Sequence, residues 1–133
     1  RNVDEALARA AKAVVDWEGG TRIGDCLTAF VRDWGRRGLG RGAIVVVCSD
    51  GLDRGDPDVL ATAMERLSRL CHRIVWVNPH AQAAGRSPGR GVGYAYRATT
   101  LGMMVVEPYL DLLIGGRDLR GLEELAARLA ELA

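Results

Sequence analysis

Two short segments of this sequence combine residue types and positions that could hold a cation. Residues 19–24 (GGTRIG) form a glycine-rich turn into a predicted helix, where Thr21 supplies a hydroxyl group. Residues 47–56 (VCSDGLDRGD) follow a predicted strand, and their loop begins with Ser49 and Asp50. Hydroxyl and carboxylate oxygens are ligands that Mg²⁺ takes in proteins. The two segments therefore indicate a divalent-cation site, provided that the fold brings Thr21 and Asp50 together.

Each of these residues also has a purely structural interpretation. Thr21 could simply cap the helix that begins beside it, with the glycines making the turn. Asp56 precedes a proline and is a favoured N-cap, and Asp53 could be a solvated loop acid. Asp50 is the least well explained in this way, because ligands of open parallel sheets bind beyond the carboxyl ends of the strands.

The spacing of apolar residues predicts the elements that position these segments. Helices are predicted over residues 2–16, over 21–34, after Asp56 and Pro57, from Thr99 or Thr100, and after Asp118; strands are predicted over Ala43–Cys48, Ile74–Val77 and Leu110–Ile114. Strands that alternate with helices predict a doubly wound, Rossmann-like α/β fold with a parallel sheet and helices on both faces. The strand over 43–48 is apolar throughout, which is typical of a strand buried on both faces. Residues 79–98 have no clear period and predict a long loop.

In such a sheet, both candidate segments can lie on the same rim. Thr21 begins a helix, and Asp50 ends the strand that follows that helix along the chain. A right-handed crossover can place the start of the helix beside the end of the strand.

Length and charge limit the classes of function. A chain of 133 residues predicts one domain. Its 18 basic and 17 acidic residues leave a formal net charge of +1, which argues against nucleic acid or anionic lipid as a partner. No apolar run approaches the roughly 18 residues of a membrane-spanning helix, so no membrane span is predicted.

The cysteines indicate the cellular compartment. Cys26, Cys48 and Cys71 each lie in an apolar segment, and no two of them have the C-x-x-C spacing of a zinc or redox site. We therefore expect reduced thiols in the core of a cytoplasmic protein.

Several motifs together give the sequence a family resemblance. They are residues 16–24 (DWEGGTRIG), 48–51 (CSDG), 77–79 (VNP), 101–103 (LGM), 108–111 (PYLD) and 119–125 (LRGLEEL). In combination they resemble the von Willebrand factor type A (VWA) domain, and within it the CoxE-like proteins of bacteria.

The resemblance implies a site as well as a fold. The family's doubly wound sheet carries a metal-ion-dependent adhesion site (MIDAS), built from a D-x-S-x-S motif, a Thr of a second loop and an Asp of a third. By resemblance, Thr21 and Asp50 are the second and third of these ligands, for Mg²⁺ or another divalent cation. The same comparison gives a partner-binding rim that consists of Gly20, Arg22, Ser49, Gly51 and Asp53.

One departure from the family pattern affects the metal. No D-x-S-x-S motif occurs in these 133 residues. Residues 1–133 are therefore interpreted as the C-terminal part of a VWA-like domain whose first strands would precede Arg1. We expect this chain by itself to bind Mg²⁺ weakly or not at all.

The resemblance also implies a function. CoxE-like proteins are associated with the maturation of molybdenum hydroxylases such as carbon monoxide dehydrogenase, and are thought to act beside a MoxR-type AAA+ ATPase. This implies a metal-dependent adaptor domain with that ATPase and a client metalloenzyme as its protein partners. No nucleophile–base pair is visible in the sequence, which favours a binding module over an enzyme.

Two other functions remain open at this point. One is a Mg²⁺-dependent phosphohydrolase that uses Asp50 and Asp53 to hold a metal-bound water. The other is an RNA-binding module that uses the arginine-rich loops, which would require arginines and stacking aromatic residues on one surface.

Overall fold

The computed structural model describes residues 2–13, 20–35, 37–38, 42–81 and 100–133. Their elements are α1 (Val3–Ala13), α2 (Ile23–Trp34), β1 (Ile44–Cys48), α3 (Pro57–Leu70), β2 (Arg73–Asn78), α4 (Leu101–Val106), β3 (Leu112–Gly115) and α5 (Leu119–Leu132), with a 3₁₀ turn over Glu107–Tyr109. The predictions for residues 14–19 and for most of the loop, residues 82–98, lie outside the described residues.

The strands form a parallel sheet in the order β1-β2-β3. Val46 pairs with Val75 in the register of β1 and β2, and Val75 pairs with Leu112 in that of β2 and β3. The predicted α/β class with a parallel sheet is confirmed. The third strand begins at Leu112 rather than at Leu110. Asp111, just before it, makes two hydrogen bonds with Ile74. Its backbone N–H donates to the Ile74 carbonyl at 2.9 Å, and its carboxylate accepts the Ile74 N–H at 2.8 Å.

Helices cover both faces of the sheet, as predicted. Ile74 and Trp76 of β2 lie in the larger core cluster, which also contains buried residues of α2, α3 and α4. Val75, between them in sequence, faces the other side and packs in a second cluster with apolar residues of α5. This alternation follows from the two-residue period of a strand.

The prediction that β1 is buried on both faces is wrong. Val46 and Cys48 are exposed, whereas β2 is buried from Ile74 to Asn78. Within the described residues, β1 pairs with a strand on one side only. An apolar run therefore shows that a strand can be buried on both faces, but not that neighbouring elements cover it.

The helix starts that depend on local signals are confirmed. Asp56, Thr100 and Asp118 each accept a backbone N–H of the helix that follows, at 2.8, 3.2 and 3.1 Å. These caps stabilise the first turns of α3, α4 and α5. No helix in the described part of the chain combines the length and the apolar character needed to cross a bilayer.

The close packing of α2 on α3 depends on Gly24. A Cβ atom at this position would lie 2.7 Å from the backbone nitrogen of Leu60, and backbone cannot move aside as a flexible side chain can. We expect Gly24→Ala to lower the free energy of unfolding by about 1–3 kcal/mol, as measured by urea denaturation. Gly42→Ala is the control, because a Cβ there meets nothing within 4 Å. Equal stability of the two variants would contradict this account of the helix contact.

The cysteine prediction is wrong for two of the three thiols. Cys26 and Cys48 are exposed, and only Cys71 is partly buried. Burial, and after it the Asp111 carboxylate, raises the pKa of the Cys71 thiol above its usual value. The thiolate is the reactive form, so a raised pKa leaves less of it at a given pH.

We therefore expect iodoacetamide to alkylate Cys26 and Cys48 of the native protein at pH 8 several-fold faster than Cys71. Peptide mass spectrometry over a time course measures the three rates separately. In denaturant the three rates should converge, and a native Cys71 that reacts as fast as Cys48 would contradict the prediction.

Candidate functional site

The loop after β1, residues 49–56 (the Asp50 loop), begins from a fixed point on the sheet. The Ser49 N–H donates to the carbonyl of Val77 at 3.0 Å, which extends the contact of β1 with β2 by one residue. The Ser49 carbonyl in turn accepts the indole N–H of Trp76 at 2.9 Å. Because Trp76 is fully buried, the backbone of Ser49 is fixed by a residue of the core.

Asp50 is held at its backbone and at one carboxylate oxygen. Its carbonyl accepts from the side-chain amide of buried Asn78 at 3.4 Å, and its Oδ1 accepts the N–H of Leu52 at 2.9 Å. The other oxygen, Oδ2, accepts no hydrogen bond from the described residues. Among the described residues, the carboxylate of Asp50 is thus oriented through one of its two oxygens.

Residues 20–22 (the Thr21 loop) lie directly against the Asp50 loop. The Arg54 N–H donates to the carbonyl of Thr21 at 3.0 Å, and the Ile23 N–H donates to Asp53 Oδ1 at 2.9 Å. The side chain of Thr21 is exposed, and its hydroxyl bonds to no described residue. The structure therefore places the two predicted segments side by side on one rim of the sheet.

The capping role considered for Thr21 is wrong, and so is the description of Asp53 as a solvated loop acid. The N-cap of α2 is Arg22, whose side chain makes no capping bond. Asp53 supplies the missing acceptor, because its Oδ1 binds the N–H groups of both Ile23 and Gly55, at 2.9 and 3.0 Å. Sequence reasoning missed this role. No signal in the sequence could have shown it, because the start of α2 after Arg22 is known only from the structure.

The other predicted rim residues differ in exposure. Gly20 and Arg22 are exposed, and Ser49 is half-buried. Gly51 is buried under α4: its φ is +77°, and a Cβ there would meet the side chain of Met103. Gly51 therefore shapes the loop and presents no side chain to a partner.

The charges along this rim are mostly negative. Arg22 forms a 3.8 Å ion pair with Asp25, and both side chains are exposed, so the pair contributes little to stability. Asp50, Asp53 and Asp56 lie within seven residues of the loop. Arg54 of the same loop is also exposed, and its side chain lies against Gly20, so cationic groups lie among these carboxylates.

The chemistry of Thr21 and Asp50 fits part of a magnesium site. A hydroxyl and a carboxylate oxygen are hard donors, and Mg²⁺ commonly keeps several waters beside one or two protein ligands. No group of three or more His, Cys, Asp or Glu that could hold a metal occurs in the described ranges. The two loops can therefore contribute to coordination of a cation, with water and a partner supplying the remaining ligands.

A cleft of about 500 Å³ lies farther along the same rim, beyond β2 and β3. Its polar wall combines His80 and two arginines, Arg117 and Arg120, with the acids Asp118 and Glu124. Asp118 is already engaged as the N-cap of α5. None of the predicted metal or rim residues lines this cleft.

Comparison with known proteins gives one match. The model of the family described as VWA domain containing CoxE-like protein matches residues 1–120. No curated protein and no solved structure matches the chain. The match includes both the Thr21 loop and the Asp50 loop.

We expect Asp53→Ala to loosen the joint between the two loops. The substitution leaves the N–H groups of Ile23 and Gly55 without their acceptor and should lower the free energy of unfolding by about 1–2 kcal/mol. Thermal and urea denaturation measure the loss. Asp53→Asn is the matched variant, since it keeps an Oδ1 acceptor and should recover most of the stability. If the alanine and asparagine variants are equally stable, Asp53 does not act as the cap.

Proposed function

Because the chain belongs to the family of VWA domain containing CoxE-like proteins, which makes it a protein-interaction domain, we propose that its interaction depends on a divalent cation held by Thr21 and Asp50. The observation that carries this proposal is the 3.0 Å hydrogen bond from the Arg54 N–H to the Thr21 carbonyl. This bond joins the two loops that carry the donor oxygens. VWA domains bind other proteins, so the site would serve recognition and not turnover.

In this proposal Mg²⁺ links the domain to its partner. Thr21 and Asp50 would hold the cation on the domain, as two of the about six oxygen ligands that Mg²⁺ takes. The cation would supply a positive charge for a carboxylate of the partner. The MIDAS of the family contains a D-x-S-x-S motif that this sequence lacks, which is why the chain alone is expected to bind the metal weakly.

The proposed partners are a MoxR-type AAA+ ATPase and a client metalloenzyme. The client would be a molybdenum hydroxylase such as carbon monoxide dehydrogenase, and the domain would act as an adaptor during its maturation. Family membership supports this part of the proposal. A cytoplasmic location is proposed with it, because Cys26, Cys48 and Cys71 are free thiols.

The alternative of a Mg²⁺-dependent phosphohydrolase gains no support from the geometry. Asp53, which would act together with Asp50, accepts the backbone N–H groups of Ile23 and Gly55 with its Oδ1. This structural role accounts for the position of Asp53 without an enzymatic function. We therefore propose a binding domain without an enzymatic activity of its own.

We expect Asp50→Ala and Thr21→Ala each to weaken binding of the full-length protein to the MoxR-type ATPase by tenfold or more in the presence of Mg²⁺. Each change removes one oxygen ligand of the cation, while the hydrogen bonds between the loops involve the Thr21 backbone and remain. Isothermal titration calorimetry measures the affinity, and circular dichroism checks that the fold is intact. EDTA should reduce wild-type binding to the level of the variants.

The chain offers a matched control for each variant. Asp33→Ala removes an exposed carboxylate at the opposite end of α2, where it pairs with Arg32. Thr62→Ala removes an exposed hydroxyl within α3. Both controls should bind as the wild type does. If Asp50→Ala and Thr21→Ala bind as tightly as these controls, the metal-dependent function is wrong.

A further inference from the structure

An exposed group of apolar side chains lies beside Asp50. Leu52 is 61% exposed, Leu101 62% and Met104 54%. We call these three residues the apolar patch. Large apolar side chains that are exposed together and surrounded by polar residues are typical of a surface that binds another protein.

The two segments that carry the patch are in contact. A Cβ on Gly102 would clash with the carbonyl oxygen of Gly51, and a Cβ on Gly51 would lie 2.9 Å from the Thr100 hydroxyl. Leu52 is the chain neighbour of Gly51, and Leu101 is the residue between Thr100 and Gly102. The close backbone contact therefore keeps Leu52 and the start of α4 at the same part of the rim.

The rest of the patch follows from helix geometry. Leu101 and Met104 are three residues apart in α4, so their side chains emerge on the same face of the helix. Met103, between them, points inward and is fully buried. The burial of Met103 therefore leaves Leu101 and Met104 on the exposed face of α4.

The position of Leu52 is tied to that of the Asp50 carboxylate. The Leu52 N–H donates to Asp50 Oδ1 at 2.9 Å, so the residue that carries the apolar side chain also orients the proposed metal ligand. The exposed Leu52 therefore lies next to the proposed metal ligand. The patch and the cation site are therefore continuous parts of one surface.

From this placement we infer that the apolar patch is the second half of the partner-binding surface. It would receive a segment of the partner in which an aliphatic or aromatic side chain lies within two residues of the acid that reaches the cation. The inference rests on the function proposed above. Its chemical reason is that Leu52, Leu101 and Met104 expose apolar area near the proposed metal ligand, so an apolar neighbour of the acid adds affinity that needs no charge.

A phage-displayed peptide library tests this specificity without knowledge of the natural partner. Each peptide has a fixed central Asp with four random residues on either side, and the library is selected on the immobilised full-length protein in Mg²⁺. We expect Leu, Ile, Met or Phe to be enriched within two residues of the fixed Asp. Selection on Leu52→Ser or on Leu101→Ser should reduce this enrichment, and the double variant should remove it.

Two matched variants control for surface hydrophobicity. Leu122→Ser removes a leucine that is 54% exposed on α5, across the sheet from α4, and should leave the enrichment unchanged. Leu52→Met keeps an apolar side chain of similar volume and should retain it. For a selected peptide, Leu52→Ser should raise Kd about tenfold, and Mg²⁺ affinity without peptide should not change.

The outcomes separate this inference from the proposed function. Acid-dependent selection that is lost in EDTA and with Asp50→Ala, yet shows no apolar preference, supports the metal site and overturns the inference. An apolar preference that depends on Leu52 and persists in EDTA supports the patch and overturns the metal dependence. Selection of no peptide overturns both.

Two other occupants of the patch have their own signatures. A second copy of the chain would give a dimer in sedimentation equilibrium that Leu52→Ser dissociates. A segment of the same chain would make Leu52→Ser lower the melting temperature by several degrees. Either result, together with unchanged peptide selection, overturns the inference.

Discussion

The joint between the Thr21 loop and the Asp50 loop is the contact on which the candidate site depends. Asp53 reaches across 30 positions of sequence to accept the N–H of Ile23, so the first turn of α2 is completed by a residue that follows β1. The Arg54 N–H closes the joint from the other side by binding the Thr21 carbonyl. The start of α2 and the loop after β1 are therefore joined at two points.

The joint is anchored to the most deeply buried strand. Trp76 and Asn78, both on β2, donate their side-chain N–H groups to the carbonyls of Ser49 and Asp50. A buried polar side chain keeps such a bond because leaving it unpaired costs free energy. Two side chains of the buried strand β2 thus hold the backbone of the Asp50 loop in place. A metal ligand needs this kind of support, because coordination tolerates little error in the position of an oxygen.

Local signals explain what the sequence could predict. The helix starts predicted at Asp56, which precedes a proline, and at Asp118 are both present in the structure. They were predictable because a cap acts on the residues next to it in sequence. The role of Asp53, the exposure of Cys48 and the partial exposure of β1 depend on residues distant in sequence. The spacing of apolar residues does not show whether another element covers a strand. Nor does it show whether a helix lacks a capping side chain of its own. That the Thr21 loop and the Asp50 loop lie on one rim was predictable because chain topology, rather than side-chain detail, determines it.

A cation shared between the domain and its partner couples two binding events in the proposed mechanism. If Thr21 and Asp50 supply oxygens from the domain and the partner supplies another, metal and partner each raise the affinity of the other by the same factor, since binding free energies are reciprocally linked. The apolar patch would add affinity that does not depend on the cation. The two parts of the surface would therefore act on partner binding in different ways, one through the metal and one through buried apolar area.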